Sequence, residues 1–182
     1  MRIIGGSMGG RKIQPPANMP YTRPTTDIAK EGLFNILQNS IALEGITTLD
    51  LFGGTGAITY ELASRGAAAL TIVEKDPAMH KFIATQLVKL HLPQVQLIKM
   101  DVFKFLETCR QQYDFIFAGP PYALQQIDDL PRMVVGQQLI APDGLFVLEH
   151  TPRNQYQQFD GFVKVRNYGT TVFSFFEAVP PS

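Results

Sequence analysis

Cysteine is almost missing from this chain. One thiol, Cys109, stands among 182 residues, so no internal disulfide can staple the fold, and no cysteine or histidine lies near it at metal-ligand spacing. His80, His91 and His150 are equally scattered, and no metal site is expected. Long apolar runs are missing as well. No stretch approaches the roughly 20 residues of a membrane span, and 1–10 lacks the continuous apolar core of a signal peptide; the expectation is a cytoplasmic protein with no membrane partner. Nor is there an excess of either charge. Sixteen basic and sixteen acidic residues sum to zero, which argues against a protein that coats nucleic acid nonspecifically.

What is present is the composition of a packed globular chain, 45% apolar and 18% charged, long enough for one ordinary domain and a modest appendage. The charge is unevenly spread. Residues 1–26 carry Arg2, Arg11, Lys12 and Arg23 and no acid, giving either a solvated arm or a locally positive edge on a neutral body. The short apolar start Ile3-Ile4 and a second candidate strand over 11–14 flank Gly9-Gly10, the pattern of a small hairpin. The chain is therefore divided into an arm over 1–24 and a main domain over 25–182. Thr25, Thr26 and Asp27 start a first helix, with Ile28, Leu33, Phe34, Ile36 and Leu37 at helical spacing.

From Ile46 onward strands and helices alternate. Strands are expected over 47–52, 69–74, 95–100, 113–118 and 145–149; between them come helices over 57–65, 102–110 and 124–139 and, after the second strand, a helix with Met79, Phe82, Ile83, Leu87 and Leu90 on one face. Such alternation implies right-handed crossovers and a mostly parallel sheet covered on both faces. The last two strands, 162–168 and 170–177, have no helix between them and should close the sheet as an antiparallel hairpin.

Leu49-Asp50-Leu51-Phe52-Gly53-Gly54-Thr55-Gly56 ends the first of these strands and opens a helix, the place where open α/β sheets bind ligands. Glycines permit the tight turn and close approach of a ligand to the backbone, and the helix N-terminus suits an anion. Two more acids fall at strand ends. Glu74, followed by Lys75, comes about 20 residues after the turn, where a carboxylate can hold ribose hydroxyls. Asp101, followed by Val102, ends the third strand within reach of an adenine amino group. A nicotinamide dinucleotide could use Glu74 equally well, but its fingerprint wants glycine or alanine where Thr59 stands. Asp50 taken alone is also compatible with a carboxylate that only braces the turn.

With these features the sequence resembles the class I methyltransferases, whose first motif opens on an acid and ends Gly-x-Gly. The resemblance implies a Rossmann-like α/β fold with a mostly parallel seven-stranded sheet, and S-adenosyl-L-methionine as cofactor. It places the methionine part of the cofactor along Gly53, Gly54, Thr55 and Gly56, with Asp50 and Phe52 in the same motif, the ribose on Glu74, and the adenine at Asp101 and Val102.

After the fourth strand stands Gly119-Pro120-Pro121-Tyr122. The prolines stiffen the loop, the carbonyls of Gly119 and Pro120 are available as acceptors, and Tyr122 offers a flat stacking face. A proline-rich turn ending in a core tyrosine would have the same residues. The segment resembles the Asp/Asn-Pro-Pro-Tyr motif of methyltransferases that act on an amine conjugated to a planar system, with Gly119 where the motif has its acid or amide. The departure removes one acceptor, about 1.5 to 3 kcal/mol for a charged hydrogen bond, so weakened catalysis or cofactor binding without turnover is one alternative. Amino methylation of adenine N6 or of a protein glutamine is another. Cys109 lies on an expected helix away from this loop, which disfavours a cysteine nucleophile.

The segments Arg2-Ile3-Ile4-Gly5-Gly6, Gly10-Arg11-Lys12-Ile13, Arg23-Pro24-Thr25-Thr26-Asp27, Glu31-Gly32-Leu33-Phe34-Asn35 and Arg65-Gly66-Ala67 extend the resemblance nearly end to end, to the RsmD family. That family methylates a guanine N2 in 16S ribosomal RNA. The resemblance implies a small-subunit assembly intermediate as partner, Gly119, Pro120, Pro121 and Tyr122 at the reacting amine, and Arg2, Arg11, Lys12 and Arg23 on RNA phosphates.

Overall fold

A computed structural model of the chain describes residues 1–18 and 25–181. Five parallel strands, β1 (Thr47–Leu51), β2 (Ala69–Val73), β3 (Val95–Ile98), β4 (Tyr113–Ala118) and β5 (Ile140–His150), are followed by β6 (Phe162–Tyr168) and β7 (Thr171–Phe176). The sheet order is β3-β2-β1-β4-β5-β7-β6, with β7 antiparallel to both neighbours. The helices are α1 (Asp27–Ser40), α2 (Ala57–Ser64), α3 (Pro77–Lys89), α4 (Val102–Thr108) and α5 (Asp129–Gly136). No helix among the described residues is long and apolar enough to cross a membrane.

Local chemistry sets the helix starts. The Thr26 hydroxyl accepts from Ala29 N at 3.2 Å, Asp76 accepts from Met79 N at 2.9 Å ahead of Pro77, and Asp101 accepts from Phe103 N and Lys104 N. Most elements end within two residues of the sequence expectation, and two differ by more. The helix expected over 124–139 is only α5, because Pro131 has no N–H and fits only in a first turn, which fixes the start at Asp129; the residues before it form tight turns, such as Leu124 N to Pro121 O. β5 begins five residues earlier than expected, since Ile140 pairs with Tyr113 and the register then jumps to Phe115 with Leu145, leaving the Pro142-Asp143-Gly144 turn as an irregularity within the strand.

Strand alternation divides the core into two layers. On β4, Phe115 and Phe117 join α1, α2 and the arm residues Ile3 and Ile13, while Ile116 and Ala118 join α4 and α5. A sheet buried on both faces is what parallel strands require.

The N-terminal hairpin closes through an Arg2 to Lys12 bridge and lies on α2. All eight residues of α2 are buried in consequence, Glu61 among them. A buried carboxylate must be paired to be tolerated. Glu61 accepts from Ile4 N and Gly5 N, both at 2.9 Å, and from Arg65 Nε at 2.9 Å, with Lys30 Nζ at 3.5 Å. Lys30 in turn donates to the Arg2 carbonyl at 2.7 Å. Burial alone would raise the Glu61 pKa, but the backbone and Arg65 hydrogen bonds and the Lys30 charge outweigh it and hold the carboxyl below its usual range. Burial lowers the pKa of Lys30 despite the attraction of Glu61.

Glu61→Gln therefore strands a buried ammonium, and urea denaturation should show a loss of about 3 to 5 kcal/mol. Adding Lys30→Met should recover much of it. Because the Glu61 pKa is depressed in the folded state, this stabilisation is complete above the ordinary carboxylate range and fades as pH falls through the folded-state value. An unchanged denaturation midpoint in Glu61→Gln would contradict the account.

Candidate active site

Strand register gathers the candidate segments at the carboxyl ends of neighbouring strands. Leu51 is paired with Val73 on one side and Ala118 on the other, and Ala118 with Leu148. The residues that follow these four therefore emerge side by side. Gly53 N donates to Val73 O at 2.9 Å and Gly119 N to Leu51 O at 3.3 Å, so the glycine turn and the Pro-Pro-Tyr loop share a wall.

The glycines are required for separate reasons. A Cβ on Gly53 would lie 2.5 Å from Ile72 Cγ1, and one on Gly56 (φ 84°) would lie 2.4 Å from the ring of Tyr60. Gly54 adopts φ 58° and faces open space, since the nearest atom to its added Cβ is Phe52 O at 3.9 Å. Phe52 itself is held at φ 62°, an uncommon conformation for a non-glycine residue. Gly54 N donates to Glu74 Oε1 and Asp76 N to Glu74 Oε2, both at 2.8 Å. Each carboxylate oxygen so fixed keeps further lone-pair capacity for a ribose hydroxyl.

These residues fit S-adenosylmethionine. The open cradle at Gly54 accommodates a ligand chain, the aimed carboxylate of Glu74 suits a diol, and beneath the turn the buried Tyr60 hydroxyl has no hydrogen-bond partner among the described residues. At the adenine end, Asp101 Oδ1 caps α4 while Oδ2 lies 4.0 Å from Lys75 Nζ, an exposed pair worth about 0 to 1 kcal/mol. Val102 is buried as the first residue of α4, and its N–H has no carbonyl within the helix to donate to. The Phe52 and Phe103 rings meet edge to face with centroids 6.5 Å apart beside it.

Asp50 lies beneath the turn and is 2% exposed. It accepts from Thr59 Oγ1 at 2.8 Å, so the residue that breaks the dinucleotide fingerprint is the one that satisfies the acid. Burial raises the Asp50 pKa to about 7, with a smaller push from Glu74 and with Thr59 opposing.

In the Pro-Pro-Tyr loop Pro120 is buried, while Gly119, Pro121 and Tyr122 are half-buried. The Tyr122 hydroxyl donates to Glu149 Oε2 at 2.9 Å, and Thr25 Oγ1 donates to Glu149 Oε1. Glu149 and Tyr60 were not singled out from the sequence. An acid closing the fifth strand was the available signal for Glu149, the same signal that marks Glu74 and Asp101. Cys109 is buried at the opposite end of β4, with its sulfur 4.0 Å from the Tyr113 hydroxyl. The side chains of Arg2, Arg11 and Lys12 belong to exposed residues of the arm, whose Met1 sulfur accepts from Thr55 Oγ1 at 3.7 Å. Arg23 lies outside the described residues.

The Asp50 geometry has a consequence for pH. A carboxyl that is harder to ionise folded than unfolded makes the folded chain bind more protons between about pH 4 and 7, so stability declines as pH rises through that window. Asp50→Asn should flatten the decline, becoming more stable relative to the parent at pH 8 than at pH 5 in chemical denaturation. Parallel pH profiles for the two proteins would refute it.

Residues 1–177 match the family model described as conserved hypothetical protein 95. The chain is 30% identical over 154 residues to ribosomal RNA small subunit methyltransferase D of Escherichia coli (strain K12), covering 85% of this chain and 76% of that protein. It is 31% identical over 157 residues to the protein of the same name from Haemophilus influenzae, covering 82% and 78%. A solved hypothetical protein from Thermus thermophilus has a TM-score of 0.85 and 26% identity over 98% of this chain and 99% of that one. Together with the sheet order and the reversed β7, these matches show that the chain belongs to the conserved hypothetical protein 95 family, within the class I S-adenosylmethionine-dependent methyltransferases and homologous to RsmD-like proteins.

Proposed function

We propose that the protein methylates the exocyclic N2 amine of a guanine in 16S ribosomal RNA, acting on a small-subunit assembly intermediate. The observation that carries this reading is the adjacency of the Pro-Pro-Tyr loop to the glycine turn, fixed by the Gly119 to Leu51 hydrogen bond. The names of the E. coli and H. influenzae relatives support an RNA of the small ribosomal subunit as the target.

The lone pair of an amine on a purine is delocalised into the ring, which makes the nitrogen a weak nucleophile. S-adenosylmethionine, when bound, supplies a strongly electrophilic methyl group on a cationic sulfur. The work left to the chain is orientation. A loop carbonyl, of Gly119 or Pro120, accepts from one N–H of the amine, the stiff proline pair holds it in place, and the Tyr122 ring stacks on a base that has been turned out of its helix. Glu74 and the turn from Gly53 to Gly56 hold the other reactant against the same wall.

A neutral body implies that RNA affinity is local. The exposed Arg2, Arg11 and Lys12 sit on an arm whose first residue packs against Thr55 of the glycine turn, which favours phosphate contacts beside the pocket. Arg23 would add a fourth charge.

Incubation with methyl-labelled cofactor and unmodified small-subunit particles, followed by nucleoside digestion, should yield N2-methylguanosine. N6-methyladenosine, or label in protein, would reject the guanine assignment; cofactor binding with no transfer would point to a binding module. The double variant Arg11→Ala/Lys12→Ala should weaken particle binding and reduce the slope of log affinity against log salt by about 2, with the cofactor Kd unchanged. An unaltered slope would remove these two charges from the RNA interface.

A further inference from the structure

The carboxylate that the Pro-Pro-Tyr motif lacks at Gly119 stands one strand away. Pairing of Ala118 with Leu148 sets Gly119 and Glu149 abreast at the ends of β4 and β5. A Cβ added to Gly119 would lie 3.9 Å from Glu149 Oε1. The other carboxylate oxygen, Oε2, receives the Tyr122 hydroxyl at 2.9 Å. The Glu149 carboxylate is therefore located between the first and last residues of the loop, within one side chain's reach of where an aspartate at 119 would place its oxygens.

Glycine at 119 is compatible with this arrangement in two ways. It puts no side chain of its own between loop and carboxylate, and it spares the Phe117 ring, whose Cε2 would lie 3.0 Å from a Cβ there and would have to give by a few tenths of an ångström to admit one. A residue as buried as Glu149, 3% exposed, is also costly to keep as an acid. Two hydroxyls converge on it from separate parts of the chain, Thr25 ahead of α1 and Tyr122 after β4.

We infer that Glu149 is a catalytic residue, its carboxylate accepting a hydrogen bond from the substrate amine in the role that the related motif gives to an acid or amide at position 119. The inference rests on the amino-methyltransferase reading above. The substrate N–H reaches Oε2 by taking the place of the Tyr122 hydroxyl or joining it, an exchange of one donor for another that leaves the buried acceptor paired. In the transfer the nitrogen lone pair becomes the new nitrogen–carbon bond and the sulfur–carbon pair returns to sulfur. The surplus proton on nitrogen passes along the hydrogen bond to Glu149 and from there to water.

The test compares the parent with Glu149→Gln and Glu149→Gln/Gly119→Asp, using methyl-labelled cofactor and unmodified small-subunit particles. Calorimetric binding of S-adenosylhomocysteine serves as the independent check on the folded cofactor site. Glu149→Gln should lower kcat about tenfold to a hundredfold, from the loss of a charged hydrogen bond, with the S-adenosylhomocysteine Kd within about twofold of the parent. Moving the carboxylate to β4 in the double variant should restore most of the lost kcat, which a merely structural tie between Thr25 and Tyr122 would not do. Parental kcat in Glu149→Gln, or a loss that Asp at 119 fails to reverse, overturns the inference and leaves the methyltransferase reading standing. No transfer by the parent protein refutes that reading and this inference with it. Should Glu149→Gln not fold, Glu149→Asp keeps the charge but withdraws it by one methylene, and parental kcat in that variant overturns the inference equally.

Discussion

The chain enters its sheet in the middle. β1 has β2 on one side and β4 on the other, so the crossovers after β1 and β2 build outward in one direction and those after β4 in the other. Crossovers of one hand that diverge from a central strand lie on opposite faces of the sheet, which opens a crevice at the carboxyl ends of such strands, here β1 and β4. Every segment with chemistry in it depends on that gap. The glycine turn leaves from β1, the Pro-Pro-Tyr loop from β4, and Glu74 and Glu149 close the strands on either flank.

Buried acids show how differently one functional group is used within this frame. Glu61 has cations and backbone amides around it and is held ionised, which makes it a fastener between the arm, α1 and α2. Asp50 has hydrogen bonds from Thr59 alone to oppose its burial, and burial, with a smaller push from Glu74, raises its pKa toward neutrality. Glu74 has one backbone N–H on each oxygen, which aims it without using up its capacity. With all three acids buried, the number and kind of donors distinguish an acid tied into the fold from one with capacity left for a ligand.

Parallel strands announce themselves in sequence through short apolar runs, and β4 falls on 113–118 as the pattern predicts. α2 over 57–65 differs by one residue. The errors arise where a local breaker competes with tertiary pairing: Pro131 shortens a helix whose apolar periodicity runs past it, and β5 continues through a Pro-Asp-Gly turn because Ile140 still finds Tyr113 across the sheet. Glu61 carries no local mark of burial at all. Its backbone donors, Ile4 N and Gly5 N, come from more than 50 residues earlier in the chain, and a charged residue inside a helix ordinarily faces water. Glu149 was visible as an acid at a strand end, but its closeness to Gly119 depends on the β4 to β5 register, which sequence spacing does not encode.

The two ends of the first 25 residues meet the crevice at different places. Met1 packs against Thr55 of the glycine turn, and Thr25 donates to Glu149 beside the Pro-Pro-Tyr loop. Between them the hairpin is fastened to α2 by Glu61 and Lys30, neither of which faces the crevice. On the function proposed above, a charged surface clamped in this way is presented at fixed distance from the glycine turn, so its contribution to orienting a large polyanion is made before the ligand arrives and costs no ordering of the arm on binding. On the same proposal, loosening the Glu61 cluster alters substrate geometry as well as stability, through residues that belong to neither the glycine turn nor the Pro-Pro-Tyr loop.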